Sequence, residues 1–239
     1  MEIKTTAKTL NAKGIESMFS AGAHFGLGRS RRHPTVTPFI FGTKNSTDIF
    51  DLEKTSVSLA DALAIVAALA KEGKSILIVG GKKEASIAVK SAGMSLNMPY
   101  VDGRWIGGTL SNFGQVRKRI DRYEKLTSDR EKGELAKYTK RERMLIDKEI
   151  LSLEKMFFGI VGLKKMPEAL FIIDPRREKN AVKEALDMGI PVIALAGSDC
   201  NITEVTYPVV GNDASKSSIQ FFLNEIVKAY EGGKASVTK

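Results

Sequence analysis

The chain is poor in the residues from which disulfide scaffolds, metal centres and catalytic sites are usually built. One cysteine in 239 residues, Cys200, excludes an internal disulfide framework and gives no reason to place the protein outside a reducing compartment. His24 and His33 are the only imidazoles, no cysteine or histidine partners Cys200 at metal-ligand spacing, and no serine sits in a GxSxG elbow. A lone cysteine of this kind is expected to be a small core residue, and a lone histidine a hydrogen-bonded one. No metal, cofactor or catalytic residue is expected. Long apolar runs are also missing: residues 60–70 form the longest, well short of the roughly 20 residues a bilayer-spanning helix needs. Residues 1–14 are polar and lysine-bearing, so neither a signal peptide nor a membrane anchor is expected there.

Acidic charge is scarce as well. Lysine and arginine outnumber aspartate and glutamate 37 to 28, a formal net charge of +9, which tilts the partner list towards polyanions. Distribution says more than the total. From Ser17 to Thr47 there is no acidic residue, while Arg29, Arg31, Arg32 and Lys44 all fall there. A surface serving only solubility intersperses its signs. The chain is long enough to bury a core without staples.

Three short, branched, almost continuous apolar runs read as strands covered on both faces: residues 75–80, 169–174 and 191–196. Residues 99–102 and 206–210 are shorter strand candidates. Helical patterns span residues 52–71, 82–95, 178–188 and 213–230, and this alternation predicts a doubly wound parallel α/β sheet. Residues 39–52 read as a hairpin or irregular arm broken by residues 42–46.

Residues 110–161 leave the βα rhythm. Leu110, Phe113, Val116, Ile120 and Tyr123 repeat at three and four residues, as do Ile146, Ile150, Leu153, Phe157 and Ile160. Each set is a coiled-coil seam, and Thr139 with Glu142 makes a capping box opening the second helix. The expectation is an antiparallel coiled-coil hairpin, residues 110–161, inserted into a sheet domain formed by residues 1–109 and 162–239 and projecting from it. Between Ser111 and Phe158 there are 13 basic and 9 acidic residues, with Arg117, Lys118, Arg119 and Arg122 clustered near the root. The residues at the two ends of the chain, about the first dozen and 232–239, are expected to be loose in the free protein.

Two further motifs stand at strand ends. Gly80, Gly81, Lys82 and Lys83 join a strand to a helix, but the spacing is that of neither a phosphate-cradling loop nor GxGxxG. A plain turn is the leading reading and a backbone contact to RNA by Lys82 or Lys83 the second. Asp174-Pro175-Arg176-Arg177-Glu178 reads as a loop entering a helix, or as two arginines offered to phosphate or carboxylate. Arg104 and Trp105 begin a run through Phe113 at the junction of sheet and hairpin. Trp105 either stacks a base or anchors the hairpin by burial, the latter being the expected job of a large aromatic at a joint.

Taken together, six segments resemble one family in its own order: residues 22–26 (GAHFG), 38–42 (PFIFG), 49–55 (IFDLEKT), 104–113 (RWIGGTLSNF), 170–178 (LFIIDPRRE) and 207–213 (YPVVGND). The family is the bacterial small-subunit ribosomal protein S2 family. The resemblance implies a flavodoxin-like fold with an inserted helical hairpin, binding to small-subunit rRNA, no catalytic activity, and neighbouring ribosomal proteins, ribosomal protein S1 among them, as partners in the cytoplasm. The chain departs from the family pattern at Leu27, at Arg32-His33-Pro34 and at Asp199-Cys200-Asn201-Ile202. The candidate rRNA-binding residues are Arg29, Arg31, Arg32, Lys44, Lys82, Lys83, Arg104, Arg117, Lys118, Arg119, Arg122, Arg176 and Arg177. The competing reading is a doubly wound enzyme or sensor holding a phosphorylated small ligand at residues 80–83.

Overall fold

The computed structural model describes residues 12–236. The expectation that the first dozen residues are loose falls almost entirely outside that span. A first helix α1 (Ala12–Ser20) leads into a small antiparallel sheet of β1 (Phe25–Gly28), β2 (Ile40–Lys44) and β3 (Thr47–Phe50), with β3 in the middle. Residues 39–52 do form a hairpin. Its turn residues Asn45 and Ser46 take φ of 50° and 61°, the two positive values that match a tight turn to strand twist. β1 was not expected. Its four residues FGLG are short and half glycine, and pairing with β3 rather than composition makes them a strand.

α2 (Leu52–Lys71) starts the doubly wound domain, its first turn capped by Asp51, whose side chain accepts from the amides of Glu53 and Lys54. There follow β4 (Ile76–Val79), α3 (Lys83–Leu96), β5 (Tyr100–Val101), α4 (Phe113–Glu131), α5 (Lys140–Phe157), β6 (Ala169–Ile173), α6 (Lys179–Asp187), β7 (Val192–Ala196), β8 (Tyr207–Val210) and α7 (Lys216–Ala235). The sheet order is β5-β4-β6-β7-β8, parallel throughout. Counted along the chain this is 2-1-3-4-5, the flavodoxin-like order, whose switch point lies between β4 and β6.

Both faces of the sheet are covered, which is why its strands read as continuous apolar runs. Ile76, Ile78, Phe171, Ile173, Ile193 and Leu195 pack with buried residues of α2, α3 and α7. On the opposite face Leu77, Val79, Leu170, Ile172, Val192 and Ala194 pack with α6 and with Val116, Ile120, Ile150, Leu153 and Phe157 of α4 and α5. The root of the helix pair therefore completes the core as well as leaving the βα rhythm. The Thr139–Glu142 capping box is present, and Phe113 and Ile146 are only partly buried where their seam neighbours are fully so.

The last helix corrects the expectation for residues 232–239 in part. α7 runs to Ala235, and Gly233 is pressed so closely on α2 that an added Cβ would lie 2.5 Å from the Ala67 carbonyl oxygen. A side chain there is what the sequence avoids. No described helix is long and apolar enough to cross a membrane.

Candidate nucleic-acid interface

The thirteen cations named from sequence fall at three places: the antiparallel arm, the root of the helix pair, and the C-terminal edge of the parallel sheet. The structure separates those paired with the protein's own carboxylates from those left without such a partner.

On the arm, Arg29 and Arg31 lie in a short 3-10 turn after β1, and Lys44 ends β2; all three are exposed. Arg32 is different. Its Nε donates to Asp48 Oδ2 at 2.7 Å, its Nη2 to Asp48 Oδ1 and, at 3.1 Å, to Thr43 Oγ1, and the Asp48 side chain is fully buried. The hydrogen bond from Arg32 holds the Asp48 carboxyl below its ordinary value of 3.8 against the cost of burial. Arg32 ties the turn after β1 to β2 and β3, its guanidinium taken up by Asp48 and Thr43. His33 caps the next turn, accepting from the Thr35 amide. His24 stacks on Phe19 at 4.3 Å between ring centroids.

At the helix root, Arg117 donates to Asp121 at 2.8 Å, to Glu124 at 2.7 Å and to the Val161 carbonyl at 3.0 Å. Arg122 forks onto Glu149 of the facing helix, with Nη2 at 2.9 Å. Lys118 and Arg119, between them, are exposed and make no side-chain hydrogen bond or ion pair among the described residues.

The sheet edge decides the question of a phosphate loop. A Cβ on Gly81 would stand 2.5 Å from the Gly103 carbonyl oxygen, so the backbone packs where a ligand would sit. The Gly81 amide donates to Glu178 Oε1 at 3.3 Å, filling with a carboxylate the place an anion would take. Lys82 is turned inward, its Nζ 2.6 Å from Asp174 and 2.7 Å from Asp213. Burial alone lowers the Lys82 pKa, but the two carboxylates outweigh it and raise it; burial also pushes Asp213 up to about 6 despite the ammonium beside it. Lys82 is thus a correction to the sequence reading: its charge neutralises the protein's own acids. Lys83, next along, is exposed.

Asp174, with φ of +61°, Cys200 and Asp213 bring ligand-type atoms within 4.8 Å of one another and form the metal-compatible group found among the described residues. Lys82 already supplies the positive charge that two of those three acceptors need. The Cys200 thiol is buried and pushed upward by that burial, the behaviour of a core residue. His24 is not part of the group.

Trp105 is 6 % exposed and its Nε1 donates to Glu184 Oε1 at 3.0 Å, so it anchors the junction of sheet and helix pair. Beside it Arg104 is exposed, as are Arg176 and Arg177 at the end of β6; Arg176 pairs with Asp199. Arg104 and Arg177 make no side-chain hydrogen bond or ion pair among the described residues.

An inward-facing Lys82, a filled switch point and cations displayed on surrounding surfaces describe a scaffold rather than a nucleotide pocket. Comparison with known proteins agrees. The family model described as "Ribosomal protein S2" matches residues 18–233. The chain belongs to the ribosomal protein S2 family. It is 38 % identical over 221 residues to the small ribosomal subunit protein uS2 of Sulfurimonas denitrificans, covering 92 % of this chain and 85 % of that protein. With the same protein of Dictyoglomus thermophilum it shares 38 % identity over 220 residues, 92 % of this chain and 89 % of that one. With that of Nitratiruptor sp. it shares 39 % identity over 220 residues, 92 % and 82 %.

Two residues of this S2-family chain were invisible to sequence reading. Glu184 carries no motif, yet it also accepts from the amides of Gly108 at 2.9 Å and Leu110 at 3.0 Å. Asp48 sits in a polar turn region that predicts an exposed carboxylate. Its one readable signal is that it is the first acid after a stretch of thirty-one residues without any.

Proposed function

We propose that this S2-family chain is a structural part of the small ribosomal subunit, bound to small-subunit rRNA by the exposed cations of its arm and helix root and playing no catalytic part. The observation that carries the reading is the division of labour among its basic residues. Arg32 and Lys82 are paired with buried carboxylates and Arg117 and Arg122 with carboxylates on the protein's own surface, whereas Arg29, Arg31, Lys44, Lys118 and Arg119 face outward without a side-chain hydrogen bond or ion pair among the described residues. Exposed guanidinium and ammonium groups of one sign are suited to phosphates, from which they displace counterions.

The division of the chain into a sheet domain (1–109 and 162–239) and an inserted hairpin (110–161) is part of this proposal, supported by the two long helices that interrupt the β5-to-β6 connection. Neighbouring ribosomal proteins are the expected protein partners, ribosomal protein S1 among them, and the cytoplasmic ribosome is the expected location. The small-ligand reading is the less favoured one, because Glu178 accepts the Gly81 amide and the Gly103 backbone lies close against Gly81.

Sedimentation tests the proposal. A tagged chromosomal copy followed through a sucrose gradient is expected to travel with the small subunit at moderate salt and to be released as salt rises. A peak only at the top of the gradient at moderate salt overturns it.

A further inference from the structure

The ammonium of Lys82 does more than balance two carboxylates. Besides Asp174 Oδ2 and Asp213 Oδ2 it meets the Asp213 backbone carbonyl, to which it donates at 3.2 Å, so it grips the side chain and the main chain of one residue at once. Asp213 belongs to the loop between β8 and α7, and that loop holds the arm.

The hold is on three successive carbonyls. Ser217 Oγ donates to the Ala21 oxygen at 2.9 Å, Asn212 Nδ2 to the Gly22 oxygen at 2.9 Å, and the Asn212 amide to the Ala23 oxygen at 3.0 Å. All three follow the end of α1, where a helix leaves carbonyls without partners of its own. Asn212 Oδ1 in turn accepts from the amides of Ala214 and Ser215, which fixes the shape of the loop.

A second seat lies beside the first. The Ser198 carbonyl accepts the His33 amide at 2.8 Å, and the Ser198 hydroxyl accepts the Leu27 amide at 2.9 Å. Both seats lean on the same carboxylate, since a Cβ on neighbouring Gly197 would lie 2.4 Å from Asp213 Oδ1. The apolar part of the docking is small: buried Val36 and Phe50 meet Val210 of β8, with Phe39, Ile40 and Ile202 partly buried around them. A core of that size leaves the placement of the arm dependent on its hydrogen bonds.

From this geometry we infer that Lys82 is the positioning residue of the arm: through Asp213 it sets the loops that seat residues 21–33, and with them the place of Arg29 and Arg31. Its own ammonium stays inside the protein. The consequence for RNA rests on the rRNA-binding reading above; the positioning of the arm does not. The inference also explains why a lysine at the end of β4 reaches a loop after β8, with β6 and β7 between those strands.

The test is native-state hydrogen exchange of the full chain read by mass spectrometry, comparing peptides from the arm, residues 21–33 and 47–50, with peptides from β6 and β7. N212A cuts the first seat and leaves the Lys82 pairs in place. Its arm peptides are expected to exchange about ten- to a hundredfold faster, the scale of one or two lost hydrogen bonds of this kind, while β6 and β7 change little. K82M weakens the fold as a whole, so β6 and β7 exchange faster too, and the arm peptides are expected to gain a further factor of about ten over them. K82M/N212A should fall short of the product of the two single effects, because both act on one seat. Equal acceleration of arm and sheet in K82M overturns the inference, as does a double variant that reaches the full product. For a K82M chain that does not fold, D213A takes its place with the same expectations, since it leaves Lys82 and Asp174 as a neutral pair. Exchange is read without RNA, so this inference can fail while co-sedimentation with the small subunit still upholds the proposed function.

Discussion

Trp105 and Glu184, 79 residues apart, meet at 3.0 Å, and the carboxylate that receives the indole N–H also gathers the amides of Gly108, Leu110 and Ser111. One side chain of α6 thereby fixes the whole loop from which the helix pair departs. The loop has no strand or helix of its own to satisfy those amides, so their partner has to come from elsewhere.

Replacing Glu184 with alanine leaves several donors, one of them on a buried indole, without an acceptor. The expected loss is about 2–4 kcal/mol, on the scale of one or two charge-assisted hydrogen bonds and the donors they leave stranded. E184Q keeps one acceptor oxygen and should lose less. Urea denaturation of both variants checks the order; a neutral E184A means that the loop is held by apolar packing around Trp105 alone.

The loop also shows where sequence reading stops. The sheet, its helices and the capping box at Thr139 were legible because burial on both faces, helical periodicity and capping each leave a local pattern in the chain. The placement of Trp105 as an anchor followed from its size and position. Glu184 leaves no pattern, since it looks like any acid on the polar side of a short helix and acts through a contact distant in sequence. Lys82 shows the same limit: its segment reads first as a plain turn and second as a contact to an RNA backbone, and only the fold brings Asp174 and Asp213 to it. Among the cations, charge type was readable and pairing was not.

Lys82 should therefore be a stability residue. K82M removes the ammonium from between two buried carboxylates, and breaking such a pair from one side costs about 3–5 kcal/mol. Neutralising the acids as well, in K82M/D174N/D213N, is expected to recover part of that loss. Chemical denaturation of the three chains decides it, and a K82M variant as stable as the parent shows that the carboxylates find another partner.

The Arg32–Asp48 pair gives a pH dependence with a definite sign. The hydrogen bond from Arg32 keeps the Asp48 carboxyl below its ordinary 3.8 in the folded chain. The stability it contributes is full above 3.8 and is lost as pH falls through the lower folded value. Comparing the parent with D48N isolates this pair from Asp213, whose raised value acts in the opposite direction. The parent's advantage, measured by urea melts from pH 7 down to pH 2.5, should be flat to about pH 4 and then shrink; an advantage that grows on acidification contradicts the pairing.

Lys118 and Arg119 permit a cleaner separation of binding from folding than any other pair, because their neighbours Arg117 and Arg122 are held by Asp121, Glu124 and Glu149 while they are not. K118E/R119E should melt within about 0.5 kcal/mol of the parent, as exposed surface changes do. Its affinity for small-subunit rRNA should nevertheless fall, with a salt slope shallower by about 1.8 if each cation neutralises one duplex phosphate. R117E is expected to do the reverse in part, costing stability through Asp121, Glu124 and the Val161 carbonyl. Parallel melts and RNA titrations of the two variants therefore report different things: if R117E and K118E/R119E lose stability and affinity in the same proportion, the separation of internal from outward-facing cations at the helix root is wrong.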